Sequence, residues 1–249
     1  MELGGRVALV TGGSGDLGTA IAKALAAAGA DIAVAYVGNR EGAAATCAAV
    51  EALGRRQCAV QLDQSDPASN DRAVDDAAAR MGRLDVLVNN AAWNIGIPFP
   101  HLDALTTEIW DRIYDTNVRG PFQLARAAAR HMRRQGGGRV VNIASVAGLR
   151  PGGSSIAYAT SKAALIHLTR CLAVALAPDI TVNCVAPGLV EGTRMARRLP
   201  PEVAEWARQS AILRRASSPD DIASQVVTFC RADSVTGQVL TVDGGLHFH

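Results

Sequence analysis

Short, almost wholly apolar runs alternate with longer alanine-rich stretches along the 249 residues. The runs are RVALVTG (6–12), DIAVAY (31–36), CAVQLD (58–63), LDVLVNNA (84–91), GRVVNIAS (138–145), ITVNCVAPG (180–188) and GQVLTVDGG (237–245). They lack the polar alternation of half-exposed strands and predict seven strands buried on both faces. Between them, apolar residues three and four apart predict helices over 17–29, about 41–53, 67–81, about 105–134 with a break near Gly120-Pro121, 157–177, and from Pro219-Asp220 onward. This alternation predicts an α/β fold, a doubly wound and mostly parallel sheet with helices on both faces. No linker, low-complexity tract or repeat interrupts it, so one domain over 1–249 is expected.

Ligands of such folds bind outside the carboxyl ends of the strands. That rule places Thr11–Gly18, Tyr36–Arg40, Asp63, Asn89–Trp93, Ser145 and Pro187–Gly188 on one rim. Composition adds mainly exclusions. A net charge of +2 gives no footprint for nucleic acid. The basic run RHMRRQGGGR (130–139) reads as a helix C-terminus closed by glycines. Five cysteines without a CxxC pair or nearby histidines argue against a metal site and a disulfide scaffold, and for a reducing, cytoplasmic setting. The first residues run straight into a strand, and no apolar stretch nears the roughly 18 residues of a span without turns or charges. Neither a signal peptide nor a membrane partner is expected.

Tyr158 and Lys162 in YATSK lie four apart and share a helix face. An ammonium beside a phenol lowers its pKa from about 10 and makes proton transfer useful near neutrality. The same spacing also occurs by chance on many helices. Only two lysines are present, Lys23 and Lys162, and a compact ammonium can reach both a phenol and ribose hydroxyls where arginine's fork cannot. Ser145, at a strand end, can polarise a carbonyl oxygen or simply cap a turn. Asn117, mid-helix in IYDTNVRG, can hold a water or mark a local break.

Together these motifs resemble the short-chain dehydrogenase/reductase family over nearly the whole chain. TGGSGDLG (11–18) matches TGxxxGxG, NNAA matches NNAG, and Asn117, Ser145, Tyr158 and Lys162 match the catalytic tetrad. The resemblance implies a Rossmann-type fold in which Tyr158 exchanges the proton, Ser145 positions the oxygen, Lys162 holds the nicotinamide ribose and lowers the tyrosine pKa, and Asn117 supports a water relay. It also implies a cofactor cradle from Gly12, Ser14, Gly15, Asp16, Leu17 and Gly18. Asp63 would meet the adenine, Asn89 and Ala91 the adenosine and ribose, and Val190 after Pro187-Gly188 the carboxamide. Thr193 is offset by one from the family's threonine.

Asp16 stands where the family has its second glycine. Aspartate tolerates left-handed backbone and caps helices, so its carboxylate is expected to accept from the first helical turn, away from a diphosphate. No carboxylate ends the second strand, where NAD-binding folds often carry one. Tyr36, Asn39 and Arg40 stand there instead, favouring NADP(H) over NAD(H), although Arg40 equally suits an exposed helix start. Trp93, Asn94, Ile95, Ala147, Leu149, Arg150 and Leu189 are expected to shape the substrate pocket, under a lid at about 189–213. The overall resemblance to 3-oxoacyl-carrier-protein reductases and carbonyl reductases implies reduction of a ketone or 3-oxoacyl thioester. Alcohol or sugar oxidation with NAD, and a nucleotide-sensing protein without turnover, are the alternatives. Relatives of this kind form homodimers or homotetramers.

Overall fold

A computed structural model describes residues 1–248. Its strands are β1 (Val7–Val10), β2 (Asp31–Tyr36), β3 (Gln57–Gln61), β4 (Val86–Asn89), β5 (Gly138–Ile143), β6 (Ile180–Pro187) and β7 (Val239–Val242). They form one sheet in the order β3-β2-β1-β4-β5-β6-β7, and every pairing is parallel. The helices are α1 (Asp16–Ala27), α2 (Arg40–Glu51), α3 (Pro67–Met81), α4 (Thr107–Tyr114), α5 (Gly120–Arg134), α6 (Ile156–Leu176), α7 (Pro201–Ser210) and α8 (Pro219–Arg231).

The continuous apolar runs are explained by two cores. On β1, Val7 and Leu9 join Val74, Ala77, Leu124 and Ala128 of α3 and α5. The intervening Ala8 and Val10 join Ile21, Leu25, Ile222 and Val226 of α1 and α8 on the opposite face. A strand with period-two side chains and helices on both sides has no solvent face to make polar. Helix α6 is long and apolar enough to cross a membrane by length and composition alone, yet half of that window is buried inside the fold. The basic run closes α5 as expected: His131 meets Asp75 at 2.7 Å, and Gly136 and Gly137 leave the helix with positive φ.

The helix expected over 105–134 is two helices joined by a π-turn at Asp115–Arg119. One cause is Gln64, which arrives after β3. Its Nε2 donates to the Thr116 carbonyl at 2.6 Å and to that of Ala91 at 3.3 Å. A helix carbonyl taken by a side chain opens the ladder locally. Gly120 fits beneath because a Cβ there would lie 2.4 Å from Gln64 Cγ.

Strand β1 pairs with β2 on one side and β4 on the other, so winding reverses at β1 and the crevice opens at its carboxyl end. The glycine loop fills that position. Gly12 has φ +63, and a Cβ on Gly18 would lie 2.2 Å from the Gly12 carbonyl oxygen. Gly15, at φ −101, would meet nothing nearer than 3.5 Å. The two positions are therefore predicted to respond differently. In urea titrations Gly18→Ala is expected to lose about 1–3 kcal/mol through overpacking against backbone. Gly15→Ala is expected to stay within about 1 kcal/mol of the parent.

Candidate active site

Ser155 caps α6 by accepting from the Tyr158 amide at 3.1 Å, which fixes Tyr158 in the first turn and Lys162 one turn later. Both side chains are nearly fully buried. Lys162 Nζ donates to the Ile143 carbonyl at 2.9 Å and lies 5.7 Å from the centre of the Tyr158 ring. Ser145 follows β5 in extended conformation. Its hydroxyl lies near enough to the phenol to lower its pKa and also accepts from the Ala147 amide at 3.2 Å, so it caps the turn as well. Gly148 lets this turn close on α6, since a Cβ there would sit 2.6 Å from the Lys162 carbonyl carbon.

The electrostatics correct one expectation. Burial pushes the Tyr158 phenol above its ordinary pKa, and the Ser145 hydroxyl opposes this only in part. Lys162 beside it donates to the Ile143 carbonyl and is itself desolvated, and burial is the largest effect on the phenol. Burial lowers Lys162 from its ordinary value to about 8, with Cys184 acting in the opposite sense. Loss of water disfavours both charged forms, phenolate and ammonium alike.

Asn117 lies in the π-turn, and its side chain is fully engaged. Oδ1 accepts from the Trp93 amide at 2.9 Å, while Nδ2 donates to the Trp93 carbonyl at 3.0 Å and to Ser161 Oγ at 3.1 Å. It clamps the loop after β4 against α6.

The glycine loop fits a dinucleotide diphosphate. Cβ atoms would drive Gly12 against Ala91 and Gly18 against the Gly12 carbonyl, so the tight turn requires glycine there, and α1 follows Gly15 with no side-chain cap on its first amides. An uncapped helix start behind a glycine turn suits a dianion. Asp16 is not the expected cap. It is the first residue of α1, and its Oδ2 accepts from the Arg194 amide at 2.6 Å and from Arg197 Nη2 at 3.2 Å, both in the segment after β6. Ser14 offers its carbonyl to Asn39 Nδ2 at 3.2 Å, and Asn39 caps α2 by accepting from Gly42. Leu17 packs on the core.

At the end of β2, Tyr36 lies half-buried against the core and Arg40 is exposed. Asp63 is exposed after β3 and accepts from the Ser65 amide and hydroxyl. Asn89 does not line the crevice as expected. It is buried, and its Nδ2 donates to Asn142 Oδ1 at 2.8 Å because its position in β4 points it into the sheet. Asn90 serves the loop instead, donating to the Thr11 carbonyl at 2.9 Å, while Thr11 Oγ1 accepts from the amides of Asn90 and Ala91.

Beyond β6, Pro187-Gly188 passes so close to Asp243 that a Gly188 Cβ would lie 2.6 Å from its Cβ. Val190 bridges Ser217 in parallel. Thr193 is not free to meet a ligand in the expected way, since its hydroxyl donates to the Val190 carbonyl at 2.8 Å and accepts from Ala196. Residues 196–198 form a short turn, and Pro200-Pro201 starts α7.

The wall beside Tyr158 is formed by Ala147, Ala159 and Phe99. Phe99 was not expected. Its only sequence signal was an aromatic residue in the proline-rich loop after β4. The Trp93 indole is covered by the Arg112 guanidinium at 4.3 Å. Asn94 is half-buried, Ile95 and Arg150 are exposed at the rim, and Leu189 gives its carbonyl to Ser217. Leu149 corrects the expected pocket, because it packs inward on Ala144, Leu165, Ile166 and Cys184.

A family model described as enoyl-(acyl carrier protein) reductase matches residues 14–247. "Granaticin polyketide synthase putative ketoacyl reductase 2" of Streptomyces violaceoruber is 45% identical over 97% of this chain and 96% of its own. Two solved structures superpose with a TM-score of 0.90 over 99% of both chains. They are a short chain dehydrogenase of Burkholderia cenocepacia in complex with NADP, at 41% identity, and a blue fluorescent protein from a metagenomic library in complex with NADPH, at 40%. The chain belongs to the short-chain dehydrogenase/reductase family and is an oxidoreductase of that class.

The depressed Lys162 pKa has a thermodynamic signature. Between about pH 8 and the unfolded lysine value near 10.4, the unfolded chain holds a proton that the native chain has released. Stability conferred by this site therefore rises with pH in that window. Buried Cys184 and Cys230, each raised to about 12, act in the opposite direction, so a difference measurement is needed. The unfolding free energy of the parent minus that of Lys162→Met is expected to grow by up to about 1.4 kcal/mol per pH unit. Chemical denaturation at pH 8, 9 and 10 reads it, and a flat difference would contradict the assignment.

Proposed function

We propose that this protein is an NADP(H)-dependent reductase that converts a ketone or 3-oxoacyl thioester into a secondary alcohol. The observation that carries the reading is the Tyr158 phenol, buried against the Ser145 hydroxyl and held protonated at neutral pH. A phenol that keeps its proton suits a donor to a carbonyl oxygen and suits reduction better than oxidation.

The nicotinamide cofactor, when bound, supplies the hydride. The chain manages the oxygen. Ser145 donates a hydrogen bond to the substrate carbonyl and holds it beside the phenol. Tyr158 releases its proton to that oxygen as charge develops. Lys162, charged below about pH 8, stabilises the phenolate left behind in a site where water is excluded. Phe99, Ala147 and Ala159 give the carbonyl an apolar side to lie on.

The preference for NADP(H) is supported by the absence of a carboxylate at the end of β2 and by the exposed guanidinium of Arg40 two residues beyond Gly38. Two relatives near 40% identity hold NADP or NADPH. A ketoacyl reductase among the relatives supports the thioester substrate class. We further infer a homodimer or homotetramer through the outer faces of α5 and α6, where Phe122 and Val174 are exposed. The unpaired cysteines fit a cytoplasmic setting.

The test is NADPH-linked reduction of a 3-oxoacyl thioester and of a panel of ketones. Tyr158→Phe is expected to lose about 100- to 10,000-fold in kcat while retaining nucleotide binding. Undiminished turnover in that variant would end the proposal. Arg40→Ala is expected to weaken NADPH binding by about 10- to 100-fold, the loss of one charge-assisted contact, with little change for NADH. Equal effects on the two nucleotides would remove Arg40 from the 2′-phosphate.

A further inference from the structure

Asp16 brings a negative charge to the mouth of a phosphate cradle, and its partners lie 178 and 181 residues farther along the chain. Its Oδ2 accepts from the backbone amide of Arg194 at 2.6 Å and from Arg197 Nη2 at 3.2 Å. Arg197 Nη1 donates at the same time to the Gly192 carbonyl at 2.6 Å. One guanidinium thus joins the start of α1 to the beginning of the segment that follows β6.

That segment is organised around this point. Thr193 ties its hydroxyl to Val190 and Ala196, and the Arg197 amide donates to the Thr193 carbonyl at 3.0 Å. Farther along, Arg208 of α7 pairs with Glu191 and Glu205. Residues 191–208 therefore carry their own bracing, and Asp16 joins that braced piece to the glycine loop. Both partners are accessible to solvent, Arg197 at 60% and Asp16 at 40%. An exposed pair of this kind is weak and reversible, which suits a cover that must open in every cycle.

The charge balance matters equally. A lone carboxylate beside a bound diphosphate would repel it. A carboxylate that holds a guanidinium at the same spot leaves the local charge near neutral. We propose that Asp16 is a latch residue: it positions residues 190–198 over the glycine loop through Arg194 and Arg197, and Arg197 in turn cancels its charge where a nucleotide diphosphate binds. This accounts for a carboxylate at a position the family fills with glycine. It also makes lid placement and nucleotide affinity depend on one shared contact.

Two measurements judge the proposal. The first is hydrogen exchange of the free protein followed by mass spectrometry, which requires neither substrate nor turnover. Peptides covering 189–199 are expected to exchange at least about fivefold faster in Asp16→Ala and in Arg197→Gln, while those of β4 and β5 stay unchanged. Equal rates in parent and variants would overturn the latch. Thermal melts check that each variant is folded, and both residues are exposed enough to make that outcome expected.

The second is a double-mutant cycle on NADPH affinity, and this arm rests on the function proposed above. Arg197→Gln is expected to weaken NADPH by about five- to tenfold, because it leaves the Asp16 carboxylate uncompensated. The same substitution in an Asp16→Ala background is expected to change affinity by less than about twofold. An equal loss in both backgrounds would overturn the charge-cancelling role. Should the parent bind no nicotinamide nucleotide, the functional reading fails, and the exchange experiment still decides the latch.

Discussion

A parallel sheet covered by helices on both faces confines polar side chains to its two rims, unless each finds a partner inside. Most buried polar groups of the sheet meet that condition. Asn89 donates to Asn142, Asn142 Nδ2 donates to Thr169 at 2.9 Å, and Thr169 donates to the Leu165 carbonyl, a line running from β4 through β5 into α6. At the amino-end rim the fully buried Asp85 accepts from Arg6, from both arms of Arg83 and from the Val7 amide. A buried carboxylate is tolerated only with such saturation. That rim is thereby stitched shut, while the other presents loose glycines, Ser145 and the segment after β6. Inside the sheet Asn89 Oδ1 alone of this line is left without a partner, whereas the open rim gathers the polar groups of the candidate site.

The same exclusion of water governs the Tyr158 and Lys162 pair. From spacing alone, only their mutual attraction is visible, and it predicts an acidified phenol. In the fold, desolvation is the larger effect on each, raising the phenol and bringing the ammonium down to about 8. Both effects enter one equilibrium: loss of water raises the phenol pKa, and whatever stabilises the phenolate lowers it, with desolvation the larger here. The Ile143 carbonyl holds Lys162 in place beside the ring.

The seven strands and the helices that cover them were legible in the sequence because the Val/Ile/Ala runs have no competing interpretation in a doubly covered sheet, whereas α7, within the expected lid, was not. Ser145, Tyr158 and Lys162 were legible because they sit at strand ends or on one helix face, where local spacing fixes position. What could not be read depends on partners far along the chain. The carboxylate of Asp16 meets Arg194 and Arg197, some 180 residues on. The break before Gly120 has a second contributor besides Pro121, the distant Gln64 that takes the Thr116 carbonyl. Asn89 and Asn90 look alike in sequence, yet strand parity sends one into the sheet and the other to the glycine loop. Leu149 turns inward for want of any local signal about which side of its turn faces the core.

These distinctions bear on what family membership can say about substrate. In the proposed reaction the buried pair would act on an oxygen and its proton, and the remote end of a substrate would lie farther out. That end would meet Phe99 and Gly153, which stand beside the Tyr158 ring on two loops joined by the Ile97 amide donating to the Ser154 carbonyl at 2.8 Å. A Cβ on Gly153 would lie 3.1 Å from that ring, so the loop already approaches the phenol as closely as a side-chain-free residue allows. Loops vary without disturbing the scaffold that carries them. Under the proposed function, selectivity would reside in the 92–105 and 149–155 loops, while the reaction would depend on groups that β5 and α6 hold fixed.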